Sequence, residues 1–188
     1  MLAGGRSTRF GSDKLAVVYQ GIPLLHHAVI RLAEVCAEVV IVIAPGAREP
    51  TVPIGVDARC VRDPREGEGP LVGLLAGLEA VATSLAIVAG GDMPDLSTDV
   101  LLEMLGVVGE ASVDAVALQD GGRFRPLPSL MRVAPARDAT RSLLHAGERS
   151  LRALLQALRT AVIDEPTWVG LDPGRRTLFD VDEPGDLD

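Results

Sequence analysis

Residues 1–14 read MLAGGRSTRFGSDK, and we expect the rest of the chain to be organised around this stretch. A short apolar entry runs into glycine-rich backbone, which lets a ligand approach the main chain closely. Successive N–H groups in such a turn form a concave nest that holds an anion, and cationic side chains reach the same anion. The stretch therefore predicts a loop that cradles nucleotide phosphates. The residues of this loop that we expect to act on the nucleotide are Gly4, Gly5, Ser7, Arg9 and Lys14.

Lys14 is singled out by composition. The sequence has 18 basic residues, and Lys14 is its only lysine among arginines. An ammonium is a compact point charge that can swing between phosphate oxygens, whereas arginine presents a rigid planar fork. A solvated surface lysine is the ordinary alternative. The position of Lys14 at the end of the glycine-rich loop favours the phosphate-binding interpretation.

The length and composition predict a single domain with an aliphatic core. With 188 residues, 47% of them hydrophobic and 3% aromatic, we expect one domain over 1–188. No apolar run approaches the ~20 residues of a membrane span, and no signal peptide opens the sequence, so we expect a cytoplasmic protein. A net charge of −8 argues against nucleic-acid partners. Two cysteines are too few to indicate a disulfide framework.

Segments with strand and helix patterns alternate along the chain. The run EVVIVIA at 38–44 is typical of a strand buried on both faces. Alternation of this kind predicts βαβ units and a three-layer α/β/α sandwich with a mainly parallel, Rossmann-like sheet. Only two or three residues precede the glycine loop, where such a strand has about five, so we expect this first strand to be incomplete. The predicted strands are 38–44, 56–61, 84–89, 113–118, 127–133, 160–164 and 178–181. The predicted helices are 24–36, 71–83, 97–106, 136–145, 150–158 and one that begins at Pro184.

Two carboxylate motifs follow predicted strands. In open parallel sheets, ligands bind outside the carboxyl ends of the strands. Asp92 comes two glycines after the strand 84–89, and Asp180 and Asp182 lie two apart, on one face if the segment is extended. Mg²⁺ prefers such oxygen ligands together with phosphates, so we predict that Asp92 and Asp182 bind Mg²⁺, with Mn²⁺ as a substitute. The alternatives are a turn or capping role for Asp92 and a helix N-cap for Asp182.

Other familiar sites are excluded by spacing. The histidines and cysteines lack the spacing of zinc ligands. The first loop matches neither the G-x-G-x-x-G fingerprint nor the Walker loop. The residues by themselves therefore predict a phosphate-binding α/β domain that uses Mg²⁺.

Several motifs, in order along the chain, resemble those of one family. Residues 2–14, LAGGRSTRFGSDK, are similar to the N-terminal signature of the MobA-like nucleotidyltransferases. The segments GPLVGL at 69–74 and GDMP at 91–94 also match, as do RPL at 125–127 and GERSL at 147–151. The closing DVDEPGDL at 180–187 is similar to the family's last motif. The resemblance spans essentially the whole chain.

The resemblance implies a fold of the nucleotide-diphospho-sugar transferase type. It also implies transfer of GMP from GTP to the phosphate of molybdopterin, with release of pyrophosphate. Arg9, Lys14 and Asp92 would then be catalytic. The implied partners are GTP or CTP and molybdopterin, and beyond these molybdenum-insertion proteins or client molybdoenzymes. The implied nucleotide contacts are Leu2, Ala3, Gly4, Asp63, Gly69, Pro70 and Gly73.

The sequence departs from the family pattern in places that concern base choice. It contains no asparagine, so the family's guanosine-holding Asn has no counterpart, and Asp180 and Asp182 replace two closing Asn residues. A cytidylyltransferase and an enzyme for another phosphorylated acceptor therefore remain alternatives. A degenerate nucleotide-binding module without turnover is a further one, and a hydride-transferring Rossmann enzyme is disfavoured because its fingerprint is absent.

Overall fold

The computed structural model describes residues 1–4, 14–65, 67–110 and 112–187 of the chain. Its strands are β1 (Val18–Tyr19), β2 (Ile22–Pro23), β3 (Val39–Ile43), β4 (Ala58–Arg62), β5 (Leu85–Val88), β6 (Ala115–Asp120), β7 (Arg123–Arg132) and β8 (Thr160–Ile163). Its α-helices are α1 (Leu24–Ala33), α2 (Pro70–Ala80), α3 (Thr98–Glu110), α4 (Val133–His145), α5 (Leu151–Ala157) and α6 (Glu165–Leu171). Short 3-10 turns lie at Lys14–Ala16, Arg176–Leu178 and Pro184–Leu187.

The first residues join the two halves of the central sheet. Leu2 forms parallel bridges with Val42 of β3 on one side and with Gly90, just after β5, on the other. β4 extends the sheet beyond β3, and the order β5-β7-β6-β8 extends it in the other direction. The β3–β4 and β6–β8 pairs are parallel, whereas β7 is antiparallel to β5 and β6. The predicted mainly parallel sheet is therefore confirmed, with β7 reversed.

Helices cover both faces of this sheet. α1, α3 and α6 contribute to an apolar cluster on one face, and α2, α4 and α5 to a cluster on the other. Strand β6 contributes to both clusters, because successive side chains of a strand point to opposite faces of the sheet. Val116 and Leu118 belong to the first cluster, while Ala115 and Ala117 belong to the second. The predicted three-layer α/β/α sandwich is confirmed.

The predicted strand at 178–181 is wrong. The chain instead forms the 3-10 turn Arg176–Leu178, because the Asp172 carboxylate accepts a hydrogen bond from the Thr177 N–H at 2.7 Å. The N–H of Val181 then donates to a carbonyl in the loop after β5, not to a strand of the sheet. This places the closing segment against the edge where the central strands end.

The predicted helix at Pro184 is a single 3-10 turn. The Asp186 carboxylate accepts the N–H groups of Asp182 and Glu183 at 2.8 Å each, which tightens the turn. Helix α6 was not predicted, because its sequence EPTWVGL contains a proline and a glycine and too few apolar residues at helical spacing. Within the described residues, no helix is long and apolar enough to cross a membrane.

Candidate active site

The central strands end at one edge, and the predicted site residues that the structure describes lie there. The N–H of Leu2 donates to Ala89 O and that of Ala3 to Val42 O, each at 2.8 Å. The chain therefore leaves the sheet between β5 and β3. Among the described residues, a Cβ on Gly4 would meet its nearest atom at an ordinary 3.5 Å, so packing against them does not require glycine there. Of the predicted site residues in this loop, Gly5, Ser7 and Arg9 lie outside the described ranges.

Lys14 is buried at this edge and held by two carboxylates. Its Nζ is 2.9 Å from Asp92 Oδ2 and 3.4 Å from Asp182 Oδ1. The Asp182 side chain is 66% exposed, so that ion pair contributes little by itself. Lys14 is thus not a solvated surface lysine. The structure brings together three residues that are distant in the sequence and that were predicted to act on the phosphates and metal.

The glycine pair before Asp92 allows its side chain to fold back over the backbone. A Cβ on Gly90 would collide with the Asp92 carboxylate, and one on Gly91 would lie only 3.0 Å from Leu25 Cδ1. The Gly90 N–H also contacts Met93 Sδ at 3.3 Å. Asp92 is therefore positioned by a turn that larger residues would disturb.

Asp180 and Asp182 approach the same place through Val181. The Val181 N–H donates to Asp92 O at 3.0 Å, and its side chain is fully buried with Tyr19. Burial, together with the charges of Asp92 and Asp182, raises the pKa of Asp180 to about 6. A raised pKa beside other carboxylates indicates a site with an excess of negative charge.

A cavity of about 310 Å³ opens on the other side of Gly4. Asp63 extends β4 through a hydrogen bond from its N–H to Ile43 O at 2.8 Å. Its Oδ1 accepts the Arg65 N–H at 2.9 Å, which fixes the carboxylate. A Cβ on Gly73 would lie 3.2 Å from Asp63 Oδ2, so glycine lets α2 approach this carboxylate closely. The predicted nucleotide contacts that line the cavity are Leu2, Gly4, Asp63, Gly69, Pro70 and Gly73.

A second cavity, of about 420 Å³, adjoins the first at Leu2, Gly4 and Ala44. The predicted site residue Asp92 lines it. Arg48 lines it as well and has no signal in the sequence, because it belongs to no motif that we could identify. The spacing of Asp180 from Asp182 indicated in the sequence that Asp180 lies near the site. Only the structure shows that Asp180 is partly buried.

The carboxylates suit a hard divalent cation. Within the described residues, no group of three or more His, Cys, Asp or Glu side chains is arranged as a metal site. An Mg²⁺ ion bound with substrate phosphates takes only about one or two protein carboxylates, the rest being phosphate and water oxygens. Asp92 and Asp182, which share Lys14, provide such a pair.

Comparison with known proteins gives consistent matches. Residues 1–162 match the family described as MobA-like NTP transferase domain. A Chloroflexus aggregans protein named "Probable molybdenum cofactor guanylyltransferase" is 34% identical over 192 residues, covering 100% of this chain and 89% of that protein.

Two solved structures share the fold. Molybdopterin-guanine dinucleotide biosynthesis protein A from Archaeoglobus fulgidus matches with a TM-score of 0.77 and 21% identity, over 99% of this chain and 92% of that chain. The 2-C-methyl-D-erythritol 4-phosphate cytidylyltransferase of Thermus thermophilus matches with a TM-score of 0.72 and 20% identity, over 99% and 93%.

Proposed function

The chain belongs to the MobA-like NTP transferase family, and we propose that it transfers GMP from GTP to the terminal phosphate of molybdopterin. The α-phosphorus of GTP forms a bond to an oxygen of the acceptor phosphate, and its bond to the β-phosphate oxygen breaks. The products are molybdopterin guanine dinucleotide and pyrophosphate. The name of the Chloroflexus aggregans relative, which aligns with the whole chain, supports this acceptor and this base.

This reaction requires that the two substrates be aligned and that the negative charge of the phosphates be compensated. The nucleophile is a phosphate oxygen that is already ionised at neutral pH, so no general base is required. Catalysis of phosphoryl-type transfer relies mainly on alignment of the reactants and on stabilisation of charge in the transition state. The described site residues, a buried ammonium, carboxylates and exposed backbone, fit these two tasks.

The nucleotide is bound along the edge of the sheet. We assign its base to the cavity lined by Asp63 and Gly73, because this cavity has an apolar wall and a fixed carboxylate acceptor. The backbone of residues 2–4 then lies beneath the ribose. The phosphates reach Asp92 in the second cavity and Lys14, which contacts Asp92.

Lys14 and the carboxylates act at the phosphates. Lys14 exchanges its contacts with Asp92 and Asp182 for phosphate oxygens and compensates the charge that develops on the leaving pyrophosphate. We propose Asp92 and Asp182 as holders of Mg²⁺, which when bound neutralises phosphate charge. Arg9, which lies outside the described residues, is proposed to assist Lys14.

One observation carries the proposal. Lys14, Asp92 and Asp182 converge from three separate segments, with Lys14 Nζ 2.9 Å from Asp92 Oδ2, and Asp92 lines a cavity of about 420 Å³. The three residues belong to three motifs by which the sequence resembles the family. A chance ion pair would not unite them.

A pyrophosphate-release assay tests the proposal. Purified protein with molybdopterin and Mg²⁺ should release pyrophosphate faster from GTP than from CTP or ATP, and EDTA should stop the reaction. Asp92→Ala should abolish turnover, whereas Asp99→Ala, an exposed control on α3, should not. Release at equal rates from all three nucleotides, or none from any, would contradict guanylyl transfer.

The same assay separates the alternatives. Preference for CTP would identify a cytidylyltransferase, and turnover only with another phosphorylated acceptor would replace molybdopterin. GTP binding without turnover would indicate a degenerate binding module. We further propose that the protein acts in the cytoplasm, where its free cysteines Cys36 and Cys60 stay reduced. Molybdenum-insertion proteins and client molybdoenzymes are its proposed protein partners.

A further inference from the structure

Arg48 lies in the loop between β3 and β4 and lines the second cavity, and Arg62 holds the backbone around it. Arg62 of β4 donates from Nη1 to the carbonyl oxygens of Pro45 at 2.9 Å and Ala47 at 2.8 Å. Its Nη2 lies 3.6 Å from Glu49 Oε1. These contacts fix the backbone on one side of Arg48 and draw away the neighbouring carboxylate.

A second anchor fixes the other side of this loop. The Nε2 of His26, on α1, contacts the Thr51 carbonyl oxygen at 2.8 Å and its Oγ1 at 3.1 Å. Arg48 lies between the two anchors, exposed, and makes no hydrogen bond or ion pair with any residue that the structure describes. Its guanidinium is therefore available to a ligand of the cavity that it lines.

Negative charge near this cavity exceeds what Lys14 can compensate. Lys14 is already shared between Asp92 and Asp182, and Asp180 adds a further carboxylate nearby. A nucleoside triphosphate brings several more negative charges. Among the described residues that line the second cavity, Arg48 is the only basic one. A guanidinium binds phosphate through two parallel N–H bonds, which suits it to this task.

We propose that Arg48 binds the β- and γ-phosphates of the nucleoside triphosphate, the part that leaves as pyrophosphate. The inference rests on the proposed function, because it takes the base to lie in the first cavity. The two cavities share Leu2, Gly4 and Ala44, so a nucleotide with its base beside Asp63 extends its phosphates toward Arg48. Arg48 thus distinguishes a triphosphate from a monophosphate.

Equilibrium binding to wild type, Arg48→Ala and Arg48→Lys tests this assignment. Calorimetry with GTP, GMP and inorganic tripolyphosphate measures each affinity directly. Arg48→Ala should weaken GTP and tripolyphosphate about ten- to a hundredfold and leave GMP within about twofold, as expected for lost charged hydrogen bonds. Arg48→Lys should restore part of the loss. Arg152→Ala, an exposed arginine on α5 remote in sequence from these loops, is the matched control and should change nothing.

The outcomes separate this inference from the proposed function. If wild type binds tripolyphosphate but not GTP, the proposed function fails, and loss of tripolyphosphate in Arg48→Ala still supports the role of Arg48. The inference is overturned if Arg48→Ala binds GTP as wild type does, if it loses GMP equally, or if wild type binds no polyphosphate. An unchanged melting temperature checks that Arg48→Ala is folded, as expected for an exposed side chain without partners.

Discussion

Replacing Asp180 with asparagine should stabilise the folded protein at pH 7.5 and leave its stability unchanged at pH 4.0. Burial, together with the charges of Asp92 and Asp182, raises the pKa of Asp180 from 3.8 to about 6. In the unfolded chain the pKa of an aspartate returns to ~3.9. Because the folded pKa is the higher one, folding favours the protonated form. The associated stability is complete below about pH 4 and is lost as the pH rises through about 6.

The size of the effect follows from the pKa difference. A shift of about two units corresponds to at most ~3 kcal/mol. Asp180 is only half-buried, so screening by solvent reduces the expected gain to about 1–2 kcal/mol. For a chain of this length, that gain raises the melting temperature by about 3–6 °C.

Thermal and urea unfolding in EDTA at the two pH values measures the prediction. EDTA is needed because a bound cation would offset the charge of Asp180. Asp99→Asn, an exposed carboxylate on α3, serves as the control and should have no effect at either pH. Equal stabilisation of Asp180→Asn at both pH values, or a loss of stability at pH 7.5, would refute the reasoning.

Three further substitutions test the site and the core. Lys14→Ala removes the cation held by two carboxylates and should lower kcat/KM for GTP about 100- to 1,000-fold in steady-state assays; unchanged kinetics would remove Lys14 from the phosphate site. Gly73→Val places a side chain against the Asp63 carboxylate, where even a Cβ lies at 3.2 Å, and should raise KM for GTP more than kcat falls. An unaltered KM would show that the base binds elsewhere. Trp168→Ala empties a fully buried position and breaks the bond from its Nε1 to Gln119 O, so urea unfolding should show a loss of about 3–5 kcal/mol, and a loss under ~1 kcal/mol would contradict this packing.

Much of the fold could be predicted because its elements are long enough to carry a pattern. The β-branched run at 38–44 contains β3, whose five residues are all buried. The predicted helices at 71–83 and 136–145 overlap α2 and α4 closely. Helix α6 could not be predicted, since EPTWVGL contains a proline and a glycine and little apolar periodicity, whereas α5, of the same length, has Leu151, Leu154 and Leu155 at helical spacing.

The candidate site could be predicted in part from topology. Asp92 was expected at the carboxyl edge because it follows a buried strand, and Lys14 because it ends a glycine-rich loop. In the structure Lys14 contacts both Asp92 and Asp182, the two carboxylates that the sequence predicted at this edge. Arg48 could not be predicted, because its position depends on the contacts of Arg62 with the loop carbonyls. Nothing in the sequence near Arg48 indicates those contacts.

The sequence by itself determined the class of fold, the family and the residue types that we propose act on a nucleotide, because hydrophobic period and contiguous motifs are local properties. Only the tertiary structure decided which of these residues share a site. Lys14 lies 78 positions from Asp92 and 168 from Asp182, and their contact depends on strand order and on the path of the closing segment. It also decided that Asp180 is half-buried among like charges and that Arg48 lines the second cavity. Such contacts arise from packing between distant segments, which no local pattern encodes.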